Sequence, residues 1–242
     1  MEPILICGAT SPEIALLVRS IGAREQGGAG GRETYLGEVA GIPLIIAVTG
    51  IGKVNTASAL TALLESCTPR LVINTGCAGA YAGSGLHVGD LAVASSEIYG
   101  DEGVLTRTGW EPLDLIGIPT LGRNGVRYFN EFPLAKLPAE RAVQLGAALG
   151  IPLRRGSFVT VATCSGTASR GDELYRRFGA LCENMEGAAV AHLALMYGVD
   201  CLEIRGVSNM VEDRDLSGWN IPLAVEKAQR FILKFLETCH DE

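Results

Sequence analysis

The stretch Ala180-Leu181-Cys182-Glu183-Asn184-Met185-Glu186-Gly187-Ala188-Ala189 turns a short apolar run into a chain of small apolar residues that continues to Tyr197. A second apolar run, Cys201 to Val207, follows and ends abruptly in Ser208-Asn209. Strand, helix and strand in alternation predict a mostly parallel or mixed sheet covered by helices. Glu186 falls where the first strand becomes the helix, and Asn209 at the end of the second strand. Such strand ends are where α/β folds build their sites. A carboxylate set in a run built for burial must be paired or hydrogen-bonded. A ligand carrying hydroxyl groups would satisfy Glu186; a partner within the protein would serve as well.

The same alternation runs outward from this unit. Apolar runs predict strands over 3–8, 34–40, 43–49, 70–74, 90–95 and 156–163, and helical spacing predicts helices over 12–21, 53–67, 139–149 and 219–239. Ser11-Pro12 supplies a cap and a first-turn proline. Residues 27–31 read as a glycine turn, Gly76 to Ala80 as a tight loop of small residues, and 100–138 as long loops with short pieces of structure. The expected fold is α/β, a three-layer sandwich with a central mixed sheet covered on both sides. No linker or internal repeat interrupts it, so residues 1–242 are expected to form one domain.

Composition narrows the partners. Apolar residues make up 48% of the 242, charged residues 19%, and the net charge is -7. A nucleic-acid partner is excluded by that balance, since phosphate binding needs clustered Lys and Arg. The low charge fits either a subunit interface or an Ala- and Gly-rich core. Cysteines at 7, 67, 77, 164, 182, 201 and 239 are odd in number and form no C-x-x-C, and several sit in apolar strands, which suits a reducing cytoplasm. His87, His192 and His240 do not cluster with them, so no metal is expected, and His192 reads as a helix residue with no chemical task. No apolar run is long enough to span a membrane, and Glu2-Pro3 before a short apolar run leads us to expect no leader.

The glycine loops need care. Gly50-Ile51-Gly52-Lys53 lacks the gap and the Ser or Thr of a P-loop, and Asn55 stands where a dinucleotide fingerprint needs its third glycine. Two such loops after consecutive strands fit either tight turns or close backbone approach to one ligand. Glu13 reads as a first-turn acid favoured by the helix dipole, or as a site carboxylate. The polar run Glu212-Asp213-Arg214-Asp215 reads as a surface loop.

Five motifs together carry a resemblance. Gly8-Ala9-Thr10-Ser11-Pro12-Glu13, Thr49-Gly50-Ile51-Gly52-Lys53-Val54-Asn55, Asn74-Thr75-Gly76-Cys77-Ala78-Gly79, Met185-Glu186-Gly187-Ala188 and Arg205-Gly206-Val207-Ser208-Asn209 resemble, in order, the motifs of the purine nucleoside phosphorylase and nucleosidase superfamily. The layout is similar to that of the methylthioadenosine/S-adenosylhomocysteine nucleosidases. Ser208 to Asp215, with Trp219-Asn220-Ile221-Pro222-Leu223-Ala224, resembles the futalosine hydrolases more. The resemblance implies a homodimer acting on a small nucleoside, without cofactor, by cleaving the bond between base and sugar. A nucleoside-binding protein without activity is the reading from another class.

By the same resemblance, Glu13 positions the attacking water and Glu186 binds the ribose hydroxyls, with Met185 against the sugar. Ile51, Cys77, Ala78 and Gly79 border the sugar and water, and Thr163 and Cys164 border the base, where this chain lacks the usual aromatic stacker. Asn209 stands where adenine-specific nucleosidases carry aspartate. Its amide offers donors to the O6 of a 6-oxopurine and an acceptor to a protonated N7. Arg123 and Arg127 are the candidates to meet a carboxylate on the 5′ substituent. The arginine-free Gly8 to Glu13 loop favours water over phosphate as nucleophile.

Overall fold

The structure is a computed structural model and describes residues 2–28 and 31–239. Residues 29 and 30 of the expected glycine turn, and His240, lie outside the described residues. The first half holds β1 (Ile4–Gly8), α1 (Ser11–Ser20), β2 (Arg24–Glu25), β3 (Thr34–Val39), β4 (Ile42–Val48), α2 (Lys53–Ser66), β5 (Leu71–Ala80) and β6 (Leu91–Tyr99). Short strands follow: β7 (Val104–Thr106), β8 (Gly109–Glu111), β9 (Leu121–Arg123), β10 (Val126–Tyr128) and β11 (Glu131–Pro133). The chain then runs through α3 (Lys136–Ala148), β12 (Leu153–Thr160), α4 (Ala168–Phe178), β13 (Cys182–Asn184), α5 (Gly187–Tyr197), β14 (Asp200–Met210) and α6 (Ile221–Leu236).

The alternation of side chains along the inner strands builds two cores. On β1, Leu5 and Cys7 face a core completed by Leu60 and Leu64 of α2 and by Ala188, Val190, Ala191 and Ala194 of α5. Ile4 and Ile6 face the other, completed by Leu17 of α1, Ala139 of α3 and Phe231 and Phe235 of α6. Helices therefore cover both faces of a mixed sheet, as expected. β1 lies between parallel neighbours β4 and β5 and is buried at every residue, which explains its unbroken apolar sequence.

Beyond β5 the sheet closes on itself. β5 pairs with β14, β14 with β6, β6 with β12, β12 with β13, and β13 back with β5. A third small core, with Tyr81, Val159, Leu174 and Val211, lies under α4.

Two expectations are corrected, and one helix is added. Gly76 to Ala80 is not a loop: it continues β5, paired with Arg205 to Met210 of β14 across a bulge at Ser208 that shifts the register by one residue. The strand expected over 156–163 spans Leu153–Thr160, leaving Thr163 exposed in the loop beyond it. Helix α4, with its Asp, Glu and three Arg, fills a stretch for which the sequence pattern predicts no element.

Candidate active site

Six strand ends converge on one cavity of about 310 Å³. Its lining includes Glu13, Ile51, Cys77, Ala78, Gly79, Cys164, Met185, Glu186 and Asn209, so of the residues singled out from the sequence only Thr163, Arg123 and Arg127 stay outside it. A larger groove, about 760 Å³, runs along α6. Its cations Lys227, Arg230 and Lys234 are already bonded to Gly89, Glu226 and Glu237. The smaller cavity alone gathers buried carboxylates and an amide.

Glu13 is set by the start of α1. Its Oε2 accepts from the Thr10 backbone N–H at 2.9 Å and from Thr10 Oγ1 at 3.0 Å, closing a capping box. Its Oε1 accepts from the Cys77 N–H at 3.1 Å. Gly76 makes this approach possible: a Cβ there would overlap Glu13 Oε1 and stand 2.7 Å from Arg205 Nη1. Both Thr10 donors at the start of α1 are thus taken by the protein's own carboxylate and not left to a phosphate.

Glu186 occupies the cap position of α5 and is buried. Its Oε1 accepts from the Gly52 N–H at 3.0 Å, and its Oε2 lies 3.5 Å from Arg205 Nη1. Gly50 and Gly52 both have φ of +88°, a backbone region other residues rarely enter, and so bend the chain onto the carboxylate. Burial pushes the Glu186 carboxyl up, opposed by Arg205 and the Gly52 N–H. Asn184 fixes the backbone here: its Oδ1 accepts from the N–H groups of Glu186 at 2.9 Å and Gly187 at 2.7 Å.

Arg205 is the residue that sequence reasoning quoted but gave no task. It is 1% exposed, with Nε 2.8 Å from Glu203 Oε1 and Nη1 3.2 Å from the Cys77 carbonyl. Burial would lower its pKa, but Glu203, Glu186 and Glu13 outweigh that and raise it, so the guanidinium is charged. A charged residue within the apolar run Leu202 to Val207 was the available signal. Glu183, Ser165 and Trp219 line the cavity unforeseen. Glu183 anchors the loop after β12 by accepting from the Ser165 N–H and Oγ, each at 2.7 Å.

Asn209 accepts at Oδ1 from Ser208 Oγ at 2.8 Å and donates from Nδ2 to the Met210 carbonyl at 3.0 Å. An amide has two N–H groups and two carbonyl lone pairs, so one donor and one acceptor site are left for a ligand. The Cys77 thiol is pushed up to about 11 by burial and by Glu13, and stays protonated at neutral pH. Arg123 and Arg127 do not reach the cavity. Arg123 donates to the carbonyls of Leu195 and Met196 at the end of α5, and Arg127 to that of Gly117. Lys53, beside the glycine loop, pairs with Asp101 and Glu102, each at 2.8 Å.

Comparison with known proteins gives the same picture. Residues 3–237 match the profile of the phosphorylase superfamily. Over 189 residues, 78% of this chain and 79% of the relative, the sequence is 37% identical to the futalosine hydrolase of Thermus thermophilus. The methylthioadenosine/S-adenosylhomocysteine nucleosidase of Helicobacter pylori superposes with a TM-score of 0.84 at 22% identity, covering 98% of each chain. A futalosine hydrolase mutant of the same organism gives a TM-score of 0.83, also at 22% identity with 98% of each chain covered. These structural likenesses concern the fold; with profile and sequence relative both spanning most of it, the chain belongs to the phosphorylase superfamily and is a homologue of futalosine hydrolase.

Proposed function

We propose that this protein hydrolyses the N-glycosidic bond of futalosine, releasing hypoxanthine and dehypoxanthine futalosine on a route to menaquinone. The observation that carries the reading is that Glu13 and Glu186, which line a cavity that also presents Asn209, flank the buried guanidinium of Arg205. Cleavage of this bond builds positive charge on the sugar ring, as in glycoside hydrolysis. Glu186 anchors the ribose hydroxyls and lends negative potential to the cationic sugar. Glu13, held by Thr10 and the Cys77 N–H, orients the attacking water, with Arg205 Nη1 beside it. The spare donor and acceptor of Asn209 meet O6 and protonated N7 of a 6-oxopurine.

Water rather than phosphate is the nucleophile. The Gly8 to Glu13 loop has no arginine, and its Thr10 donors are bound to Glu13. The cytoplasm and a homodimer belong to the same proposal. Seven free cysteines support the first. Half-exposed Ile51, which lines the cavity, and exposed Val54 three residues on support the second.

The test is release of free base from futalosine, inosine, methylthioadenosine and S-adenosylhomocysteine, with and without phosphate. Hypoxanthine from futalosine at a phosphate-independent rate is expected. Adenine released from methylthioadenosine at an equal rate would favour the adenosine-nucleosidase reading. No base from any substrate would leave a nucleoside-binding protein.

A further inference from the structure

Glu97 on β6 and Glu203 on β14 are fully buried, yet neither lines the cavity. Their strands pair antiparallel, and both carboxylates lie against Gly187 at the start of α5. A Cβ at Gly187 would overlap the Glu97 carboxylate and stand 2.7 Å from Glu203 Oε1. Glu97 Oε1 accepts from Asn184 Nδ2 at 2.6 Å, and its Oε2 lies 2.7 Å from Thr160 Oγ1. Glu203 Oε1 accepts from Asn74 Nδ2 at 3.0 Å and Arg205 Nε at 2.8 Å. Its Oε2 is buried and accepts nothing among the described residues.

One cation, Arg205, thus stands among four buried carboxylates: Glu13, Glu97, Glu186 and Glu203. Two carboxylates sharing a low-dielectric site do not both ionise. The donors divide the pair unequally, since the guanidinium bonds Glu203 while Glu97 has only neutral partners.

We propose that Glu97 and Glu203 share a single proton, carried by Glu97, and act as positioning residues for the reaction proposed above. Glu203, the carboxylate of the pair, holds Arg205 between Glu13 and Glu186. Neutral Glu97 holds Asn184, whose Oδ1 fixes the backbone of Glu186. Burial and then the charge of Glu203 push the Glu97 carboxyl well above the usual range, against Thr160, Arg205 and Asn184. The other titratable groups facing Glu97 are Cys182, Cys201 and Tyr99, all raised by burial and held neutral. Glu186 faces Arg205, Glu13 and Glu203, and a second charge at Glu97 would oppose its ionisation further.

Two measurements test this. The infrared spectrum of the wild-type protein at neutral pH should contain the carbonyl stretch of a protonated carboxylic acid. Glu97→Gln should remove that band and Glu186→Gln should keep it. Absence of the band in wild type, or its survival in Glu97→Gln, overturns the shared proton whatever the substrate. Glu203→Gln should lower kcat about tenfold or more with KM little changed. It should also move the acid limb of kcat/KM to lower pH, because a negative neighbour of Glu186 is gone. A purely structural loss would leave that limb in place and overturn the positioning role. Wild type that shows the band but cleaves no purine nucleoside would remove the reaction and the positioning role, and leave the shared proton standing.

Discussion

At the scale of the residue, Asn209 is where base preference is set in the proposed reaction. Ser208 Oγ engages its carbonyl and the Met210 carbonyl engages its NH2, which holds the amide plane against the cavity. Asn209→Asp keeps the acceptor toward Ser208 and loses the N–H groups. A 6-oxo base then meets a carboxylate with no donor, whereas a 6-amino base meets an acceptor. Preference should shift toward the 6-amino nucleoside by about 1–3 kcal/mol, the range for one unpaired buried polar group. The ratio of kcat/KM for matched 6-oxo and 6-amino nucleosides on both proteins measures it. An unchanged ratio would remove the role of Asn209 and leave the reaction untouched.

At the scale of the element, α5 carries the site at its first turn, and Gly187 is its tightest point. Gly187→Ala should destabilise the protein by about 1–3 kcal/mol, the cost of overpacking a filled core. It should also lower turnover, because the methyl displaces Glu97 and with it the support of Glu186. Gly179→Ala, at the end of α4 with φ of +61° and open space around it, should cost only backbone strain, about 1 kcal/mol, and spare turnover. Denaturant midpoints and kcat for the two variants separate the cases; equal turnover in both would refute the support argument. The elements themselves were unevenly legible. β1, α5 and β14 stood out because long apolar runs announce burial on both faces. Residues 76–80 were hidden because Gly76 and Gly79 are there for close approach to Glu13 and Asn209, and small residues carry no strand periodicity. α4 was hidden because only a narrow stripe around Leu174 is apolar. Glu13, Glu186 and Asn209 could be picked out at strand and helix ends. Arg205, Glu97 and Glu203 could not be assigned tasks, because pairing across β6 and β14 is a property of the closed sheet and not of any local run.

At the scale of the whole molecule, the cavity is open at Ile51, which is 56% exposed, and Val54 beside it is 83% exposed. In the proposed homodimer a second copy covers this rim. Sedimentation should give twice the chain mass, and Val54→Glu should shift the protein toward the monomer and raise KM. A wild-type monomer that is fully active would refute the dimer. The five-strand circuit has a consequence of its own for how the chain reaches this state. β14 pairs with both β5 and β6, and it follows the other four strands of the circuit in the chain. Until it docks, the circuit is broken and β5 and β6 present unpaired edges that invite association with other chains. Docking joins residues more than a hundred positions apart, a slow step for non-local pairing. The same strand delivers Arg205 and Asn209, so a nascent chain acquires its closed sheet and its binding site in one event. Partly made chains are therefore both aggregation-prone and unable to be rescued by substrate.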